Sequence, residues 1–193
     1  MTRARILTCL IFLMVASIAK GQNKLSVVDL KATISGTSTM HDWTSHVNEL
    51  IFEGELITDG KQIQKFENVH VVIPALSIKS DKGNLMDRNT WNALKTDEYP
   101  EIKFDLDRAQ VKENSDGSFH IMARGDLTLV GQTKNTEIEM SATFTDESEL
   151  TIHGAKDILM SDFQMKAPSF LFGAYSTGDQ VTFDFELKLA IDR

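Results

Sequence analysis

One segment near the C-terminus restricts the fold more than any other. Val181, Phe183, Phe185, Leu187, Leu189 and Ile191 occupy alternate positions, with Thr182, Asp184, Glu186 and Lys188 between them. Successive side chains of a strand point to opposite faces, so this stretch has one dry face and one wet face. A helix would scatter the same residues around its circumference. The period recurs upstream. Ile102, Phe104 and Leu106 alternate with Lys103, Asp105 and Asp107. Ile121, Ala123, Leu127 and Leu129 share a face, as do Ile138, Met140, Ala142 and Phe144. Phe52, Gly54 and Leu56 alternate with glutamates, and Val69, Val71 and Ile73 repeat the theme more weakly.

Turn residues separate these runs at Asp59-Gly60, Asn114 to Gly117, Gly131-Gln132, Asp146 to Ser148 and Thr177 to Asp179. Such connections are too short for parallel crossovers, so neighbouring strands are expected to be antiparallel. About eight strands with one dry face each can hide it in a two-sheet sandwich or a closed barrel. The barrel is favoured because closure removes edge strands that would otherwise aggregate. At eight strands the interior either fills with side chains or holds one slim ligand.

From Asp81 to Tyr99 alternation stops, and Leu85, Trp91 and Leu94 approximate a helical stripe. Pro100 then returns the chain to extended structure. The expectation is an all-β fold, an antiparallel eight-stranded barrel, with a short helical insert between strands.

The N-terminus bears on the compartment. Arg3 and Arg5 precede an apolar run from Ile6 to Ile18, shorter than the roughly 20 residues of a bilayer-spanning helix. Ala19-Lys20-Gly21 places small residues where a signal peptidase reads. Residues 1–21 are therefore expected to be a signal peptide and 22–193 one barrel domain, exported to a bacterial periplasm or secreted. An N-terminal anchor is the alternative; no stable membrane span is expected. Cys9, the sole cysteine, lies inside the leader and too early for a lipoprotein site, so the remainder has no thiol chemistry. Removing Arg3, Arg5 and Lys20 moves the formal net charge from −8 to −11. That balance repels phosphate backbones and excludes nucleic acid as a partner.

Four fragments then match a known family. Leu94-Lys95-Thr96-Asp97-Glu98-Tyr99-Pro100-Glu101-Ile102-Lys103-Phe104 resembles the leucine to tyrosine-proline-x-isoleucine-x-phenylalanine segment of the YceI-like family. Gly125-Asp126-Leu127-Thr128-Leu129-Val130-Gly131-Gln132-Thr133-Lys134 is similar to its second signature, a strand running into a hairpin. Asp162-Phe163 and Gly178-Asp179-Gln180-Val181 follow in order, and the likeness spans Leu25 to Ile191. The resemblance implies an extended lipocalin-like barrel in the periplasm holding a long isoprenoid lipid, with no catalytic set. The chain departs from the family at Gly36 to Trp43, near one barrel end and so bearing on the head group. It departs again at Asn135, where a proline often stands.

A prenyl chain needs apolar walls, each buried methylene contributing about 0.8 kcal/mol before entropic costs. Candidate ligand-binding residues are Phe52, Ile73, Phe104, Leu106, Leu127, Leu129, Met140, Phe144, Phe183, Phe185 and Leu187. Leu85, Met86 and Trp91 would form a lid. Phe170 and Phe172 belong to an aromatic stretch, Pro168 to Tyr175, that could be a flap, with Met160 and Met165 nearby. Taken singly, each residue reads as ordinary core; taken as a set they read as a ligand lining, because barrel and resemblance agree. Arg88, Arg124 and Lys134 are the cations considered for a pyrophosphate head, although the acidic balance favours a neutral head such as a quinone.

His41-Asp42-Trp43 with His46 is the most chemical-looking cluster, since a carboxylate can orient an imidazole. The histidines form no recognised ligand spacing, so neither metal nor cofactor is expected. Three readings remain: a non-catalytic polyisoprenoid carrier, which leads; an envelope structural or stress protein with a filled barrel; and a hydrolase-type enzyme using His41 and Asp42. An exposed apolar mouth would also favour a homodimer.

Overall fold

The computed structural model describes residues 22–170 and 175–192. The expected leader and Phe172 lie outside the described residues, as does the side chain of Phe170. In chain order the elements are β1 (Gln22–Ser38), β2 (Trp43–Val47), β3 (Ile51–Asp59), β4 (Gln62–Pro74), β5 (Ile78–Lys79), α1 (Asn84–Leu94), β6 (Glu101–Glu113), β7 (Phe119–Leu129), β8 (Gln132–Phe144), β9 (Glu149–Leu159), β10 (Ser169–Phe170) and β11 (Tyr175–Asp192).

Eight of these strands close an antiparallel barrel in the order β1-β3-β4-β6-β7-β8-β9-β11. Closure is made by a long ladder from Lys24↔Asp192 to Ser38↔Thr177. On its other edge β1 changes partner. Gln22 to Lys24 pair with Ile57 to Glu55 of β3, whereas Thr33 to Gly36 pair with His46 to Trp43 of β2. Strand β5 continues that flap by pairing with β2, and β10 adds two residues to β11.

The last strand begins earlier than its alternation suggests. Thr177 to Asp179, expected as a turn, lies inside β11. Thr177 donates to the Pro168 carbonyl at 3.0 Å and Ser38 pairs with it from the other side, so partners on both edges hold the segment extended. The other expected turns do separate strands, and β7 to β8 uses Val130 and Gly131 at φ 49° and 72°. Strand β9 was not anticipated. Its inward positions read Leu150, Ile152, Gly154, Lys156 and Ile158, a pattern interrupted by a glycine and a cation.

The interior has two cores. At the end carrying the β3–β4, β6–β7 and β8–β9 hairpins, Leu56, Phe119, Leu150 and Leu189 are buried and plug the barrel. Phe119 meets Phe144 edge to face at 5.9 Å. Burial of each large side chain here is worth about 1.5–3 kcal/mol. At the opposite end Val47, Ala75, Ile78, Leu94, Val130 and Phe163 form a second cluster.

Helix α1 closes that second end and is fastened there. Gly83 enters it at φ 88°, and Lys95 ends it in the left-handed region at φ 50°. The buried Asp87 accepts from the Ser80 N–H at 2.7 Å, and Trp91 Nε1–H donates to the Ile78 carbonyl at 3.0 Å. Both bonds fix the helix on the β5 flap.

Candidate functional site

Between the two cores runs a cavity of about 250 Å³. Strand pairing decides which side chains face it. Gly154 pairs with Phe185, and Lys156 with Phe183, so all four positions lie on the inner face. Phe104 and Leu127 are opposed in the β6–β7 ladder, and Val71 opposes Phe104 from β4. The stacked rings of Phe183 and Phe185, 5.3 Å apart, form part of one wall.

Glycines set how far these rings lie back. A β-carbon at Gly154 would stand 2.6 Å from the Phe185 ring and 2.8 Å from Met140. One at Gly54 would stand 2.9 Å from Phe52 and one at Gly36 2.7 Å from Trp43, whereas one at Gly125 would first meet the Asp105 carbonyl oxygen of β6, ahead of the Phe104 ring at 2.8 Å. Each ring occupies the place a methyl group would take.

Of the wall residues expected from sequence, Phe52, Ile73, Phe104, Leu106, Leu127, Leu129, Met140, Phe183, Phe185 and Leu187 border the cavity, and Met86 borders it from α1. Phe144 does not. It packs on Phe119 in the plugged end, because alternation fixes the face of a strand and not the depth. Leu85 faces solvent, 64% exposed. The helix face over the cavity is Met86, Asn89, Thr90, Ala93 and Leu94, the i, i+3, i+4, i+7, i+8 stripe, and Leu85 falls off it. Trp91 is turned toward β5 by its bond to Ile78 and acts on the lid's position.

Sequence reasoning missed Ile138, Ile152 and Ile158 on the walls, although their strand parity carried the signal, and it missed Phe66, which the bulge around Asn68 puts out of phase with Val69, Val71 and Ile73. It missed Lys156 altogether. Met160, Met165 and Pro168 border the cavity near its α1 end. There Asn89, Ala93 and Pro168 also edge a shallower polar depression with Asn92, Lys166 and Ser169. The cavity thus meets a polar rim between α1 and residues 166–169.

The cations considered for a head group are elsewhere. Arg88 is exposed, and Arg124 donates to Asn135 at 2.7 Å on the outer face. Lys134 lies 3.4 Å from Asp162 and over the Phe163 ring. His41 and Asp42 are exposed, with His41 Nδ1 bonded to the Asp42 carbonyl. His46 pairs outward with Asp81 at 3.2 Å. These groups do not converge on the cavity. Among the described residues no three His, Cys, Asp or Glu side chains gather as metal ligands. No helix among them is long and apolar enough to cross a membrane.

The signature of the YceI-like domain matches residues 19–189. The chain belongs to the YceI-like family. Solved structures of similar shape agree with this assignment of fold. A polyisoprenoid binding domain from Saccharophagus degradans, implicated in plant cell wall breakdown, superposes with a TM-score of 0.63 at 12% identity. That match covers 88% of this chain and 98% of the other. Burkholderia cenocepacia BcnA gives 0.60 at 14% identity, covering 81% and 95%. The Campylobacter jejuni YceI protein gives 0.58 at 15% identity, covering 77% and 84%. No curated protein matches the sequence closely enough to count as a relative. The inner wall of this YceI-like barrel carries both the glycine-backed rings and a lysine, Lys156.

Proposed function

We propose that this YceI-like protein is a non-catalytic carrier that holds a long-chain polyisoprenoid lipid in its barrel. The observation that carries the reading is the cavity between the two cores. Its walls are aliphatic and aromatic along β4, β6, β7, β9 and β11, and its polar rim lies at one end only. A tail buried along such walls is held by area, with no directional group needed, and a head at the rim keeps hydrogen-bonding partners. The Saccharophagus degradans domain of similar shape is described as polyisoprenoid binding, which supports the same ligand class here. The reading includes export: the leader at residues 1–21 would deliver the barrel to the periplasm or beyond.

The test is mass spectrometry on an organic extract of protein purified after native-like export. A stoichiometric prenyl lipid is the expected result. A clean extract, together with no uptake of added prenyl lipid, would sink the carrier reading and favour a barrel with a purely structural role.

A further inference from the structure

Lys156 is out of place in its surroundings. It follows Leu150, Ile152 and Gly154 on the inner face of β9 and stands beside Phe183 of β11. It borders the apolar cavity, and among the described residues no aspartate or glutamate does. Lys103 of β6, between the inward Ile102 and Phe104, faces outward and is neutralised there by Glu101 at 2.8 Å. Lys156 has no ion pair or hydrogen bond among the described residues. In a chain of formal net charge −8 with 28 acidic residues, an unneutralised cation on an apolar inner wall is a marked asymmetry.

The wall beside it is also interrupted. The β8–β9 ladder runs from Phe144↔Leu150 to Glu139↔Ala155 and stops one residue before Lys156. A cation at such a position is costly to desolvate unless an anion or strong acceptor joins it. Its ammonium offers three donors, which suit the clustered oxygens of a carboxylate or a phosphate.

We infer that Lys156 selects the head group: the cavity takes single-chain lipids that end in an oxyanion. This rests on the lipid-carrier reading and adds to it the chemistry of the lipid's head. Selection is local, and it runs against the preference for a neutral head that the acidic net charge suggests.

Farnesyl phosphate, farnesoic acid and farnesol share one chain and differ only at the head, so they separate the terms. Titration calorimetry with the full barrel is expected to show at least one oxyanion binding about tenfold tighter than the alcohol, roughly one charge-assisted hydrogen bond. The tighter of the two acids identifies the head as phosphate or carboxylate. Lys156→Met keeps the apolar stem and removes the charge. It is expected to collapse the ratio to about one by weakening the acids, and Lys156→Arg to restore it. Farnesol binding as tightly as both acids, or a ratio that survives Lys156→Met, overturns the inference and leaves the carrier reading standing. Failure of all three probes to bind overturns both.

Discussion

The ring of Tyr99 lies over Gly131, so close that a β-carbon there would stand 2.5 Å from Tyr99 Cε1. The two residues belong to two of the four segments through which the chain resembles its family. One ends the lid connection, and the other turns β7 into β8. Their contact ties the exit of α1 to a barrel hairpin, and Gly131 also needs its φ of 72°. Gly131→Ala therefore meets strain and overlap together.

Its expected cost is about 1–3 kcal/mol, read as a lower midpoint in urea unfolding. In a Tyr99→Ala background the cost should shrink, since only the backbone term is left. Equal costs in both backgrounds would show that the ring contributes nothing.

Cavity width is testable at Gly154. Valine there must push Phe185 and Met140 off the wall. Gly154→Val is expected to weaken lipid uptake at least tenfold while far-UV circular dichroism stays that of a barrel. Unchanged uptake would mean that the ligand does not pass this level.

The lid can be loosened without touching the cavity. Asp87→Ala leaves the buried Ser80 N–H unpartnered, a cost of about 1–3 kcal/mol. Amide exchange should quicken over residues 80–94 and stay slow at Phe119 to Ala123. Asp87→Asn keeps an acceptor oxygen and should lie between the two.

Two hairpin turns respond to acid. Asp116 is held below the ordinary aspartate value chiefly by the Ser118 hydroxyl, at 2.6 Å, and then by its N–H. Asp146 is lowered first by the Ser148 N–H, at 2.7 Å, and then by its hydroxyl. Folded values below unfolded ones mean that the stabilisation is complete above the unfolded value and disappears as pH falls through the folded one. The Ser118 and Ser148 amide shifts should titrate at lower pH than in unfolded peptides of the same sequence. Ser118→Ala should raise the Asp116 midpoint, and an unchanged midpoint would refute the assignment.

What the sequence revealed and withheld has a physical basis. Alternation identified β11, β6, β7 and β8 because their inner positions are uniformly apolar. It passed over β9, whose inner face includes Gly154 and Lys156, the two residues most particular to the cavity. A functional residue on a core face breaks the very pattern that finds core faces. Phe104 and Phe144 were indistinguishable by period, and only the barrel's depth separates wall from plug. The lid was recognised as helical, but its working face includes Asn89 and Thr90, so an apolar stripe through Leu85 and Trp91 pointed to the wrong side. Tertiary bonds from Asp87 and Trp91 set that rotation.

The pairing of glycines with rings has one more consequence. Trp43, Phe52 and Phe185 each rest against a backbone position where hydrogen replaces methyl. The calibre of the bore is thus written in three hydrogens of the main chain, while the lining itself stays equally greasy. A barrel of this kind can be regauged for thicker or thinner chains by exchanging glycine and alanine, with no change in the chemistry its ligand meets.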